Sequence, residues 1–294
     1  MKKTNMSLLA KLAMFAATLI WGSSFMIVKD VTDSVPVFFL LAVRFITSSV
    51  LLAAVFCKSM KKINAQYLWQ GAVLGILMFA AYALQTFGIT YTTPGKNAFL
   101  TAVYCVIVPF LYWAIGKNRP DRFNVVSALM CLAGIGLVSL SSELSVGAGD
   151  MLTLGGGVFF ALHIVCVAKF SADKDPVTLT AVQFLATGIA SLLCCACFED
   201  VSANMFDSGI LWQMAYLTFF CTAAALLLQN FGQKYTHPAS ASLILSLESV
   251  FGVIFSIAFG RESLDVKTAV GFAVIFAAII VSETKLSFII PKKK

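Results

Sequence analysis

The chain has 294 residues, of which 60% are hydrophobic and only 12% are charged. Soluble domains carry about 25% charged residues, so this composition excludes a single water-soluble core. The formal net charge of +7 does not indicate a nucleic-acid partner, because the basic residues form short clusters between apolar runs. That distribution is the pattern of membrane topology, and it predicts an all-α integral membrane protein embedded in a lipid bilayer.

Ten apolar runs are long enough to cross the bilayer, which takes about 20 mostly apolar residues. They are 8–28, 35–57, 68–90, 94–116, 123–141, 149–170, 177–198, 209–232, 238–260 and 266–286. The connections between them are short and polar, and none could hold a separate soluble domain. The sequence therefore predicts ten transmembrane helices.

The positions of lysine and arginine predict how these helices are oriented. With the N-terminus inside, the inner segments carry 16 of these residues and the outer segments carry four, while Arg44 lies within a run. We therefore expect a multi-pass protein of the cell membrane with both termini cytoplasmic.

The two halves of the sequence repeat each other. Residues 84–94 read LQTFGITYTTP and residues 228–238 read LQNFGQKYTHP, at an offset of 144. Earlier in each half, residues 42–45 (AVRF) match residues 181–184 (AVQF) at an offset of 139. We call two residues repeat mates when one of these offsets relates them.

The repeat predicts two units, residues 1–145 and residues 146–294, with five helices each. Because five is an odd number, consecutive copies must enter the membrane in opposite orientations. The result is an inverted repeat with a pseudo-two-fold axis in the membrane plane, an architecture that suits alternating access.

Eight cysteines are present, and all of them lie within apolar runs. The closely spaced Cys194, Cys195 and Cys197 lack the second cysteine or histidine group that a zinc site needs. We therefore expect small packed hydrophobes here, with no metal site and no cofactor.

Several motifs resemble those of one transporter family. They are Trp21-Gly22-Ser23-Ser24-Phe25, Arg44-Phe45, the stretch from Gln85 to Pro109, Ser246-Leu247-Glu248 and Gly260-Arg261-Glu262. In order and spacing they resemble the ten-helix EamA-like branch of the drug/metabolite transporter superfamily. The resemblance implies a central cavity between the halves, and substrates that are amino acids, related metabolites or drugs. Ser249 stands where that family often has proline, so we expect a straighter ninth helix.

Glu248 is the acidic residue nearest the centre of a predicted span, and charges at this depth are rare and costly. It can bind a substrate ammonium or a coupling proton, or it can be a fixed partner of a helix end or a buried cation. Its repeat mate is Tyr104, which shares a polar helical stripe with Asn97 and Thr101. This relation favours a place for Glu248 in the cavity.

The other candidates are polar or aromatic residues at membrane depth. The full predicted cavity set is Trp21, Ser24, Tyr82, Gln85, Lys96, Asn97, Thr101, Tyr104, His163, Gln229 and Glu248. Some of them have a second interpretation: helix packing for Trp21, helix joining for Gln85 and Gln229, an interfacial anchor for Lys96 and a hydrogen-bonded packing role for His163. We interpret Arg44 as a structural charge, paired with a carboxylate or helix carbonyls or extended to an interface, rather than as a ligand for a substrate carboxylate.

The repeat and the polar residues at membrane depth predict a secondary transporter that works by alternating access, and the family resemblance implies a small organic metabolite, an amino acid or related compound, moved in the direction of export. The alternative within transport is a channel or facilitator, which the lack of charge rings or a carbonyl filter disfavours. A membrane enzyme would need a nucleophile with its base or metal-ligand spacing, and a sensor usually brings a soluble domain. A homodimer is left open as a partner arrangement.

Overall fold

The computed structural model of the protein describes residues 3–116, 119–139, 147–202, 205, 207–260 and 265–285. All regular structure in these ranges is helical. The helices of the first half are α1 (Lys3–Thr32), α2 (Val37–Val55), α3 (Cys57–Met60), α4 (Ala65–Thr90), α5 (Pro94–Thr101), α6 (Tyr104–Gly116) and α7 (Arg122–Ser139). Those of the second half are α8 (Ala148–Phe170), α9 (Pro176–Phe198), α10 (Ser208–Tyr216), a π-helical segment (Leu217–Ala224), α11 (Ala225–Lys234), α12 (Pro238–Leu245), α13 (Leu247–Ala258) and α14 (Val266–Thr284).

Eight helical stretches in the described residues are long and apolar enough to cross a membrane. They coincide with eight of the ten predicted spans, so the protein is an all-helical, multi-pass membrane protein. Residues 140, 141 and 286 lie outside the described residues, and the described parts of the predicted spans 123–141 and 266–286 fall on α7 and α14. Their continuous apolar stretches within the described residues are Arg122–Gly134 and Ala269–Ala278, which are shorter than a bilayer crossing requires.

Helix starts follow from local side-chain chemistry. The Asn64 side chain accepts hydrogen bonds from two backbone amides of the first turn of α4, and Asp175 does the same for α9. Proline occupies the first position of α5, α9 and α12, where its missing N–H is not needed. These caps satisfy amide groups that apolar surroundings would leave unpaired.

The fourth and ninth predicted spans are each broken into two helices. The breaks lie at Ala102, between α5 and α6, and at Ser246, between α12 and α13, and these two residues are repeat mates. The ninth span is therefore interrupted although Ser249 replaces the proline of the family, and a ninth helix straighter than in the family stays a prediction. The Ser246 and Ser249 hydroxyls donate to the carbonyls of Leu243 and Ser246, and such back-bonding bends helices without proline.

Close helix contacts depend on glycine at the face between α4 and α9. A Cβ added at Gly71 would lie 2.4 Å from Val182 Cγ1, and one at Gly75 would lie 2.5 Å from Ala186 Cβ. Small residues four apart allow this approach in membrane helices. The contact brings the middle of α4 against the second half and positions one wall of a central cavity.

Candidate functional site

A cavity lies in the middle of the bundle, between residues from both halves of the chain. The space free of protein atoms is ≈ 610 Å³ when the open mouth is included, but the centres of water-sized molecules can reach only ≈ 40 Å³ of it, so the cavity is narrow in this state. Its walls are Trp21, Ser24, Phe25, Val28, Arg44, Tyr82, Gln85, Thr86, Ile89, Asn97, Tyr104, Phe160, Ile164, Gln229, Leu245 and Glu248. The lining is mainly apolar, with a few convergent polar groups.

Eight of the eleven predicted cavity residues lie on these walls: Trp21, Ser24, Tyr82, Gln85, Asn97, Tyr104, Gln229 and Glu248. Lys96, Thr101 and His163 do not. Lys96 Nζ forms an ion pair with Asp150 Oδ2 at 2.7 Å. His163 is buried, and its Nε2 lies 3.2 Å from Gln183 Oε1. Thr101 lies behind the wall, where its hydroxyl accepts a hydrogen bond from Gln85 Nε2 at 3.0 Å.

Glu248 is held from the other half of the chain by its own repeat mate. The Tyr104 hydroxyl donates to Glu248 Oε1 at 2.9 Å, and both side chains are buried. Within the described residues, Oε2 of Glu248 has no hydrogen-bond partner. One carboxylate oxygen is therefore fixed, and the other is available to a group that enters the cavity.

Arg44 also lies on the cavity wall, 2% exposed. Its Nε donates to Thr222 Oγ1 at 3.0 Å, and its guanidinium carbon lies 5.5 Å from the centre of the Tyr82 ring. No carboxylate of the described residues is within ion-pair distance. Its partners are thus a hydroxyl and aromatic rings, rather than the carboxylate, helix carbonyls or interface that we expected, and the two terminal nitrogens have no protein acceptor in the described part of the chain.

The π-helical segment, which follows α10, carries the hydroxyl that binds Arg44 and two carbonyls that accept hydrogen bonds from other helices. Thr222 Oγ1 donates to Leu217 O, five residues back, and accepts from Arg44. The Cys221 carbonyl accepts from Trp21 Nε1 at 2.7 Å, and the Thr218 carbonyl accepts from Ser48 Oγ at 3.0 Å. Such wide turns often occur at functional sites, and here one turn is bound by side chains of α1 and α2.

A polar network lines the wall formed by α4 and α5. Asn97 Nδ2 donates to Gln85 O at 3.1 Å and to Thr153 Oγ1 at 2.8 Å. Asn97 is fully buried, and its Oδ1 has no partner among the described residues. Buried amides usually have partners, so this wall retains unused hydrogen-bonding capacity.

Comparison with known proteins identifies the class of molecule. The model of the EamA-like transporter family matches residues 8–140 and again residues 147–284. The chain belongs to the EamA-like transporter family. This assignment supports the resemblance seen in the sequence motifs, including the drug/metabolite transporter superfamily to which the family belongs.

Curated relatives of this EamA-like chain are transporters by name. An uncharacterized transporter of Archaeoglobus fulgidus is 33% identical over 278 residues, which cover 94% of this chain and 86% of the relative. The uncharacterized inner membrane transporter YedA of Escherichia coli is 24% identical, with 94% and 91% covered. One solved crystal structure aligns with a TM-score of 0.78 at 18% identity, covering 94% of this chain and 96% of that chain, which shows the fold alone.

The predicted set for this EamA-like chain left out eight of the sixteen wall residues: Phe25, Val28, Arg44, Thr86, Ile89, Phe160, Ile164 and Leu245. Phe160 and Ile164 line the cavity, and their repeat mates at the offset of 139 are Trp21 and Phe25, so the repeat could have identified them. Arg44 had no such indication, because its orientation depends on the π-helical segment, which the sequence does not reveal.

Proposed function

We propose that this protein is a secondary transporter that moves a small organic metabolite, an amino acid or a related compound, across the cytoplasmic membrane by alternating access, in the direction of export. The observation that carries the proposal is the central cavity, in which Arg44 and Glu248 each present unpaired polar atoms. Charges at this depth are rare and costly, and those that are present commonly mark a substrate or ion pathway.

The proposal includes two inverted repeats, residues 1–145 and 146–294. The family model matches once in each unit. Close contacts also recur as repeat mates: a Cβ at Gly88 would lie 2.2 Å from Thr153 Oγ1, and one at Gly232 would lie 2.3 Å from Met14 Cγ. Gly88 and Gly232 are mates at the offset of 144, and Met14 and Thr153 are mates at 139, as two-fold symmetry requires.

Two pairs of repeat mates contact each other directly. Tyr104 and Glu248 share a hydrogen bond, and the ring centres of Phe45 and Phe184 lie 5.6 Å apart. In a two-fold arrangement, a residue that touches its own mate must lie at the axis. These pairs therefore support a pseudo-two-fold axis that passes through the cavity, as alternating access between two similar halves requires.

We further propose ten spans with both termini cytoplasmic. In this proposal α7 and α14 are the fifth and tenth spans. They pack against each other, and a Cβ at Gly134 would lie only 2.8 Å from the Gly271 carbonyl oxygen. Such close pairing suits two neighbouring membrane helices. The orientation rests on the excess of lysine and arginine in the inner segments.

A bipolar substrate fits the charges of the site. The planar guanidinium of Arg44 suits a carboxylate, and Glu248 suits an ammonium group. An amino acid supplies both and leaves the occupied cavity nearly neutral. When the ammonium leaves, the Glu248 carboxylate can bind a proton instead. The transporter would then carry a proton on the return step and so exchange substrate for a proton.

Counterflow in proteoliposomes tests this function. Liposomes loaded with an unlabelled amino acid should accumulate the same labelled compound transiently, because an alternating-access carrier exchanges one for the other. A channel gives equilibration without this overshoot. Failure of every proteinogenic amino acid and of its decarboxylated amine to drive counterflow, with protein that is monodisperse after extraction, would contradict the proposed substrate class.

A further inference from the structure

The cavity is unequal on the two sides of the pseudo-two-fold axis. It is lined by Arg44, and by Thr86 and Ile89 near the end of α4. The repeat mates of these three residues are Gln183, Asn230 and Gln233. All three mates are buried, at 0%, 4% and 2% exposure, and none of them lines the cavity.

The buried mates form a polar strip between α9 and α11. Asn230 Nδ2 donates to Thr180 Oγ1 at 2.8 Å, one helical turn from Gln183 on α9. Gln233 follows Gln229 by four residues, so it shares the face of α11 that lines the cavity and lies one turn farther from the axis. The strip therefore continues the cavity wall toward the end of the bundle where α11 ends.

Each amide of this strip has polar atoms without a partner in the described structure. They are Gln183 Nε2, Asn230 Oδ1, and both Nε2 and Oε1 of Gln233. Buried polar groups without a hydrogen bond cost free energy, and sealed helix contacts normally avoid them. A surface that is closed in this state and exposed to water or ligand in another accounts for all of these atoms.

Contacts between the two halves close the bundle at this end. Lys62 pairs with Asp175, Lys174 Nζ donates to Gln66 Oε1 at 2.7 Å, and the backbone amide of Asp175 donates to Tyr67 Oη at 2.8 Å. We call these five residues the inner lock. Lys62, Gln66 and Tyr67 belong to the first half of the chain, and Lys174 and Asp175 to the second half, so the inner lock must open if the halves separate here.

We propose that Gln183, Asn230 and Gln233 line the inner half of the substrate path and form a second, amide-lined site for a polar solute, which the inner lock closes in this state. This inference rests on the proposed function and adds the location of the inner site and its closure. The amides can both donate and accept hydrogen bonds, so the site suits a polar or zwitterionic solute between Glu248 and the cytoplasm.

Cysteine accessibility tests the inference. Two variants are made on a cysteine-free background. Gln233→Cys reports access of the reagent to the inner site, and Ile89→Cys, at the repeat mate of Gln233, reports access to the outer half of the cavity. Each is labelled with a charged, membrane-impermeant methanethiosulfonate reagent, applied to inverted membrane vesicles for Gln233→Cys and to intact cells for Ile89→Cys. Lys62→Met removes the ion pair of the inner lock, and Lys61→Met, at an exposed neighbouring position, is the control of equal charge.

We expect Lys62→Met to raise the labelling rate of Gln233→Cys severalfold and to lower that of Ile89→Cys, while Lys61→Met changes neither rate. The inference is overturned if Lys62→Met leaves both rates unchanged, or if Gln233→Cys labels equally fast in all backgrounds. Counterflow by the cysteine-free parent separates this failure from failure of the proposed function: transport that persists while the labelling pattern fails refutes only the inner site.

Discussion

At the scale of single residues, one cation, Arg44, and one carboxylate, Glu248, line the same cavity. Arg44 is bound by Thr222 and Glu248 by Tyr104, and each keeps polar atoms free of protein partners in the described structure. The two charges are thus oriented by neutral groups rather than paired with each other. Such an arrangement favours a ligand that carries both opposite charges.

Arg44→Lys tests the part of the site that faces a carboxylate. Lysine keeps the positive charge but lacks the planar fork that binds a carboxylate through two hydrogen bonds. We expect the half-saturation concentration for an amino acid to rise roughly tenfold, because the variant loses a charged hydrogen bond that contributes on the order of 1–2 kcal/mol. The decarboxylated amine should be unaffected in the same counterflow assay, and equal weakening of both compounds would indicate general misfolding of the site.

At the scale of elements, the bundle depends on close contacts that recur in both halves. Helix α4 meets α8 at Gly88, and α11 meets α1 at Gly232. The breaks at Ala102 and Ser246 recur in the same way, and they let α6 and α13 begin beside the cavity with Tyr104 and Glu248 near their first turns. Helix contacts and helix breaks at repeat-related positions therefore bring Tyr104 and Glu248 together in the cavity.

Gly232→Ala should destabilise the protein by about 1–3 kcal/mol, because overpacking of a tight contact forces helices apart. The added Cβ would lie 2.3 Å from Met14 Cγ and 2.7 Å from the Ala10 carbonyl oxygen. Gly155→Ala is the matched control, since its Cβ would meet nothing closer than Leu84 Cδ1 at 3.5 Å. Thermal unfolding in detergent measures both, and equal stability of the two variants would contradict this account of the α1–α11 contact.

The loop before α9 predicts a pH dependence of stability. Burial raises the pKa of Asp175, but hydrogen bonds from Lys62 and Thr178 outweigh this effect, so the pKa lies below its usual value. A lowered folded-state pKa gives stabilisation that is present above the usual aspartate pKa of about 3.9 and is lost as the pH falls through the folded-state pKa.

Asp175→Asn removes the charge while asparagine still caps α9. We expect the variant to melt at a lower temperature than the parent above about pH 5, with a difference that shrinks below about pH 4. The measurement is the detergent melting temperature of both proteins across this range. A difference that is unchanged at the lowest pH would show that the ion pair with Lys62 is not its source.

At the scale of the whole molecule, much of the architecture could be predicted because the bilayer imposes length and hydropathy on each helix. The repeat offset placed Tyr104 opposite Glu248, and these two residues are hydrogen-bonded in the structure. The helix breaks and the π-helical segment could not be predicted, because they depend on local hydrogen bonds such as that from Thr222 to Leu217 O. The position of Arg44 in the cavity follows from that segment, so it escaped sequence reasoning as well.

The central claim is that Glu248 serves transport rather than folding, and Glu248→Gln tests it most directly. The variant keeps the shape and one acceptor oxygen for Tyr104 but removes the charge, and Asp200→Asn removes the charge of an exposed carboxylate that does not line the cavity. Both proteins are purified and compared by counterflow and by their response to a pH gradient. We predict that Glu248→Gln remains monodisperse and loses counterflow or its response to the gradient, while Asp200→Asn retains both. Normal transport by well-folded Glu248→Gln across the full pH range, or loss of stability in step with activity, would contradict the account.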